Sequence, residues 1–174
     1  MGDACALPWA DEQVDGLLMF GPLYHVIDRH DRVQALKEAH RVLRQAGTLL
    51  AVGISRFASV LDGLRGGFLA DPKFAAIVEQ DLQDGQHRNP TGTPEYFTDA
   101  FFHHPDELRS EVAEAGFDVV GVYGVEGPCW LLQDFDEWWN DETRRARLSH
   151  MARTLEAEPS LLGISAHLAA VGRK

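Results

Sequence analysis

The chain has 174 residues, 45% of them apolar and 25% charged, and 16 Lys+Arg against 27 Asp+Glu leave a formal net charge of −11. Those values fit one globular domain and exclude a disordered, collagenous or disulfide-framed chain, since Cys5 and Cys129 are too few for a framework. The acidic balance sets aside a nucleic-acid groove, which needs a basic footprint. No apolar run approaches ~18 residues, so no membrane span is expected. The opening MGDACALPWADE lacks the basic and apolar regions of a secretory signal. A reducing, cytoplasmic setting is the matching expectation.

In chain order, Val14–Phe20 (VDGLLMF) is apolar on both faces and closed by Gly21-Pro22, which predicts a buried strand. A helix follows, with Asp31 as its cap and Val33, Leu36, Ala39, Val42 and Leu43 as its apolar stripe. Gly47 is placed to cap its C-terminus, and Thr48–Ile54 (TLLAVGI) predicts a second strand, parallel to the first in a βαβ unit. Ser55–Ala100 breaks this rhythm with scattered glycines and prolines. It reads as a helical insertion lying over the sheet, with helices at Phe57–Leu64 and Pro72–Leu82 and a loop over Gln86–Pro94. Pro105 opens a helix whose buried stripe is Leu108, Val112 and Ala115. Phe117–Val125 predicts a strand, Asp134 caps one long helix running to about Glu158, and Gly163–Val171 predicts an internal strand. The expected architecture is α/β, with four strands and helices on both faces.

Three stretches together resemble a known family. They are Gly2-Asp3-Ala4…Leu7-Pro8-Trp9-Ala10-Asp11…Val14-Asp15, then Phe20-Gly21-Pro22-Leu23-Tyr24-His25, then Ala35-Leu36-Lys37-Glu38-Ala39-His40-Arg41-Val42-Leu43-Arg44-Gln45-Ala46-Gly47. In that order they are similar to the later part of a class I S-adenosylmethionine-dependent methyltransferase domain of the type 11 kind. Phe102-His103-His104-Pro105-Asp106-Glu107-Leu108…Ala115-Gly116-Phe117 resembles a further stretch of the same family. The resemblance implies a partial Rossmann-like sheet holding the fourth, fifth, seventh and sixth of the family's seven strands, in that order. It implies S-adenosyl-L-methionine as cofactor and a small-molecule acceptor. Asp3 would accept from the adenine amino group, the Ala4 amide would face a ring nitrogen, and Phe20 and Gly21 would border the methionine part. Tyr24 and His25 would look toward the acceptor, His25 either as general base or as a polar residue orienting a helix start.

Other residues have open roles. Arg56 follows the second strand and could touch an acidic group, or be a surface arginine. Trp130, Phe135, Trp138 and Trp139 either pack the long helix or wall an acceptor pocket. His25, Asp28 and His30 match no strong metal spacing, so no metal is expected. His103 and His104 point apart on any regular backbone and suit capping of the Pro105 helix. Cys5 and Cys129 read as ordinary thiols.

The family's cofactor site also uses a glycine-rich strand-to-helix turn, and these 174 residues contain none; Gly121, Gly124 and Gly127 lie within and after a strand. The chain is therefore expected to be a single, N-terminally incomplete domain with weak or no cofactor binding by itself. Val14–Phe20 would then be an apolar edge, which must be covered. A second copy in a homodimer or a complementing chain would cover it, unless the segment belongs to a longer protein. The alternative function is a non-catalytic half-domain that dimerises or docks on a partner.

Overall fold

The computed structural model describes residues 2–174. The elements are β1 (Val14–Phe20), a one-turn α1 (Pro22–His25), α2 (Arg29–Val42), β2 (Leu43–Ser55), α3 (Ala58–Gly66), α4 (Pro72–Asp84), β3 (Gln86–His87), β4 (Ala100–His103), α5 (Pro105–Glu114), β5 (Asp118–Gly124), α6 (Phe135–Asn140), α7 (Glu142–Leu155) and β6 (His167–Arg173).

β2 is the hub of the sheet. β1 runs parallel to it with Leu18 opposite Leu50 and Phe20 opposite Val52. β6 runs antiparallel along its other edge, from Thr48 opposite Arg173 to Ile54 opposite His167, and β5 pairs antiparallel with β6. The main order is therefore β1-β2-β6-β5, and β6 is internal, as its two-faced apolar sequence predicts. Beyond β1, β2 also pairs with β4 at Ile54–Phe102 and Ser55–His103, and β3 folds back on β4. These two short strands add to the four expected. They lie where a loop and a helix lead-in were predicted, because two-residue pairings leave no alternation to read.

The core is one-sided. Leu36, Ala39 and Leu43 pack with Leu108 and Val112 of α5 against Leu49, Ala51, Leu168 and Ala170 of the sheet. On the opposite face Leu18 is 70% exposed, Phe20 57% and Val120 56%, while Leu50, Val52, Ala169 and Val171 are half-buried. The second helical layer is confined to the carboxyl end, where α3, through Ala58, and the Gly127–Leu131 turn stand over Ile54. The Ser55–Ala100 region packs around its own cluster of Phe74, Ile77, Val78 and Tyr96.

Several boundaries differ from the sequence expectations. Asp28, not Asp31, caps α2, its carboxylate accepting from the amides of His30 and Asp31 at 2.8 and 3.3 Å. α2 ends on the Leu43 amide rather than at Gly47. Gly47 is required for a different reason: a Cβ there would lie 2.8 Å from the Arg44 carbonyl. The single helix expected over 134–158 is two, because the Asp141 carboxylate accepts from the Arg144 amide at 2.8 Å and starts α7 afresh. His104 caps α5 in a reciprocal arrangement with Glu107, as its position suggested.

Candidate active site

β1, β2 and their connecting helices deliver their ends to one rim. Gly21 ends β1 at φ 129°, and a Cβ there would meet only the Tyr24 hydroxyl, at 3.8 Å. The backbone is thus bare at the carboxyl end of β1, the position at which open α/β sheets receive ligands. Phe20 is exposed beside it. Asp3 reaches the same rim, because the Cys5 thiol donates to the Asp31 carbonyl in the first turn of α2, 3.3 Å away. The Asp3 Oδ1 accepts from the Cys5 amide at 2.9 Å, and Oδ2 has no partner among the described residues. Ala4 packs against the core beneath. A bare glycine, an exposed aromatic ring and a free carboxylate oxygen on one rim suit one side of a nucleoside–amino-acid cofactor. Phe20 and Gly21 would hold its amino-acid end, and Asp3 and Ala4 its base.

Tyr24, whose hydroxyl faces Gly21, also lines a cavity of ≈ 540 Å³. Tyr24, Ile54, Phe97, Phe102 and Trp130 make its apolar walls. Trp130 is pinned there by its indole N–H, which donates to the Ile164 carbonyl at 2.8 Å. The structure therefore brings Tyr24, His25 and Trp130 to one cavity. Asp62 also lines it, its carboxyl pushed up by burial.

Arg56 does not join them, which corrects its assignment to the acceptor site. It is buried, donates from Nε to the Phe102 carbonyl at 2.8 Å and pairs with Glu107, because its side chain turns inward beneath Gly85. The acidic group it touches is the protein's own. Asp28, His30 and Asp31 gather exposed atoms within 4.8 Å of one another, but the Asp28 carboxylate is already occupied in capping α2. Burial pushes the thiols of Cys5 and Cys129 up, away from thiolate reactivity.

One pair escaped sequence reasoning. His167, at the start of β6, lines the cavity, and its Nδ1 lies 2.6 Å from Glu126 Oε1. Glu126 Oε2 accepts from the Ser165 hydroxyl at 2.8 Å and from the His167 amide at 3.0 Å. These two residues are 41 positions apart and meet only because β5 and β6 are antiparallel neighbours. No local spacing signals them. His25, by contrast, is exposed and has no side-chain hydrogen bond among the described residues.

The comparisons agree on a family. A methyltransferase domain model matches residues 1–51. The ubiquinone/menaquinone biosynthesis C-methyltransferase UbiE of Pectobacterium carotovorum is 27% identical over 132 residues, covering 72% of this chain and 47% of the relative. The Neisseria meningitidis serogroup A enzyme of the same name is 26% identical over 129 residues, covering 72% of this chain and 48% of its own length. The chain thus spans about half the length of the curated relatives it matches. Among solved structures, a methyltransferase from Methanosarcina mazei shares the fold at a TM-score of 0.56 and 19% identity, over 99% of this chain and 65% of that one. One from Mesorhizobium loti does so at 0.55 and 11%, over 99% and 67%. No helix among the described residues is long and apolar enough to cross a membrane. Over residues 1–51 the chain is thus similar to a methyltransferase domain, over most of its length to curated C-methyltransferases, and in fold to solved S-adenosylmethionine-dependent methyltransferases.

Proposed function

We propose that the chain takes part in S-adenosylmethionine-dependent methyl transfer to a small, largely apolar ring compound, as the later portion of a methyltransferase domain. The observation that carries this is the aromatic-walled cavity lined by Tyr24, whose hydroxyl faces the bare backbone of Gly21. The cofactor supplies an electrophilic methyl group, and the chain's part is to hold an electron-rich acceptor against it in a site poor in water. The curated relatives are named for C-methylation in ubiquinone/menaquinone biosynthesis. A hydroxylated ring is the acceptor class that those names and these walls have in common.

Trp130 is the largest side chain lining the cavity, so Trp130→Ala weakens binding of 2-naphthol, a hydroxylated-ring probe, about tenfold. Isothermal titration checks it. Equal affinity in the variant contradicts the acceptor role of this cavity.

A second reading, a docking half-domain, is favoured by the free edge of β1, where exposed Leu18 and Phe20 continue the half-buried Leu50 and Val52. Unpaired apolar edges recruit further strands. On this reading a second copy or a complementing chain pairs with β1. Light scattering then finds a dimer of the wild-type chain at micromolar concentration, and Leu18→Lys returns it to monomer. A monomer at every concentration removes self-pairing as the way this edge is covered.

A further inference from the structure

The geometry points to His167, held by Glu126, as the general base that takes a proton from a hydroxyl of the acceptor ring bound in the cavity. This rests on the acceptor-cavity reading above.

Three observations converge on it. His167 lines the cavity and its side chain is 41% exposed, so the ring meets whatever occupies the space. Its Nδ1 is committed to Glu126 Oε1 at 2.6 Å, which leaves Nε2 with no partner among the described residues. Glu126 is itself immobilised, because the Ser165 hydroxyl and the His167 amide both donate to its second oxygen at 2.8 and 3.0 Å. Ser165 in turn accepts from the amides of Glu126 and Gly127 at 3.0 and 3.2 Å. A carboxylate fixed by donors from the Ser165–His167 segment thus selects the tautomer and orientation of an imidazole on a residue that lines an aromatic-walled space. That is the arrangement an oriented base requires.

The electrostatics run the same way. The hydrogen bond that the imidazole donates to the Glu126 carboxylate raises its pKa above the ordinary value, and burial opposes this less strongly. Burial pushes the Glu126 carboxyl up, but His167 and Ser165 outweigh it and keep it ionised. His25 lines the same cavity but is exposed and has no carboxylate to orient it. Glu126 acts through His167 and is a positioning residue.

The step is a proton transfer. The acceptor's O–H bond breaks, its electron pair stays on oxygen, and the proton forms an N–H bond at Nε2 of His167. The ring gains electron density at oxygen and at the carbons conjugated with it, which is what an electrophilic methyl group attacks. The positive imidazole is stabilised by Glu126, so the bound product of the step is an ion pair in an apolar surround.

The test uses the full chain and 2-naphthol, whose pKa, like that of other simple phenols, is about 10, so that His167 is neutral at the working pH, and whose ionised form absorbs at a different wavelength from the neutral one. At a pH one unit below the free probe's pKa, about a tenth of it is ionised. Bound to the wild-type chain, the ionised fraction rises about fivefold. His167→Gln binds the probe but leaves that fraction at the free value. Glu126→Gln gives an intermediate rise, shifted to higher pH, and His25→Asn, which takes the other imidazole off the cavity wall, still raises the fraction above the free value. Circular dichroism confirms that each variant is folded. A bound probe that stays neutral, or a rise that survives in His167→Gln and vanishes in His25→Asn, overturns the assignment of His167 while sparing the cavity. No binding of the probe by the wild-type chain overturns the cavity reading and the inference with it.

Discussion

Replacing Arg32 by Met destabilises the protein by about 3–5 kcal/mol, the cost of stranding a buried charge. Arg32 is 2% exposed. Its Nη2 donates to Glu111 Oε1 at 2.6 Å and its Nε to Oε2 at 3.0 Å. Its Nη1 donates to the carbonyls of Val26 and Ile27 at 3.2 and 2.6 Å, and its guanidinium lies 3.5 Å from the centre of the Phe101 ring. One side chain thus ties the β1–α2 connection to α5 and β4. With Arg32 gone, Glu111 keeps only the His103 ring at 3.2 Å and the half-exposed Arg29 at 3.9 Å. Burial holds His103 below the ordinary imidazole range, so it is a neutral donor that cannot replace a cation. The double variant Arg32→Met/Glu111→Leu recovers most of the loss, since a well-packed apolar pair is often as stable as a buried ion pair. Urea unfolding at unchanged slope measures both. A single-variant loss below about 1 kcal/mol contradicts this account of the joint.

Asp81→Asn has the next largest effect, about 3 kcal/mol at pH 6, and it acts on the cavity wall. His87 is fully buried, with Nδ1 2.8 Å from Asp81 Oδ2 and Nε2 2.8 Å from the Tyr96 carbonyl. Both neighbours are acceptors, so both ring nitrogens must carry protons and the ring is a buried imidazolium. It stacks on Phe102 at 4.8 Å. Burial pushes this imidazolium's pKa down, but the Asp81 carboxylate and the Tyr96 carbonyl outweigh it, and the folded-state value lies above the ordinary one. The linkage follows from that direction. The pair's contribution is complete below about pH 6.5, the unfolded value, and is lost as pH rises through the raised folded value. In Asp81→Asn this decline with pH is absent. The pair fastens the end of α4 to β3 and to the Pro94–Tyr96 turn, and Pro94 and Phe97 line the cavity. The variant therefore also weakens 2-naphthol binding. Unfolding curves at pH 6 and pH 8 measure the pH term, and identical pH dependence in variant and wild type contradicts it.

What could be read before the structure is uneven, and the reasons are physical. β1, α2, β2, α5, β5 and β6 were legible because each carries a run or stripe long enough for its period to show. The cavity's Tyr24, His25 and Trp130 were legible only through family resemblance and an aromatic cluster. Arg56 was misplaced because a position after a strand says nothing of whether the side chain turns out or in. Arg32–Glu111, Asp81–His87 and Glu126–His167 were invisible. The first and third pairs are 79 and 41 residues apart. The second spans only six, but requires α4 to stop at Gly85, whose φ is 76°, so that β3 can double back. Buried polar pairs are products of topology, and no local pattern encodes them.

The central claim is that the cavity lined by Tyr24 and Trp130 receives the acceptor. Amide chemical-shift mapping with 2-naphthol tests it most directly. The expected shifts concentrate at Tyr24–His25, Phe97–Phe102, Trp130 and His167 and saturate together with one affinity. Shifts confined to another surface, such as the Leu148–Ala152 side of α7, or none at saturating probe, would contradict it.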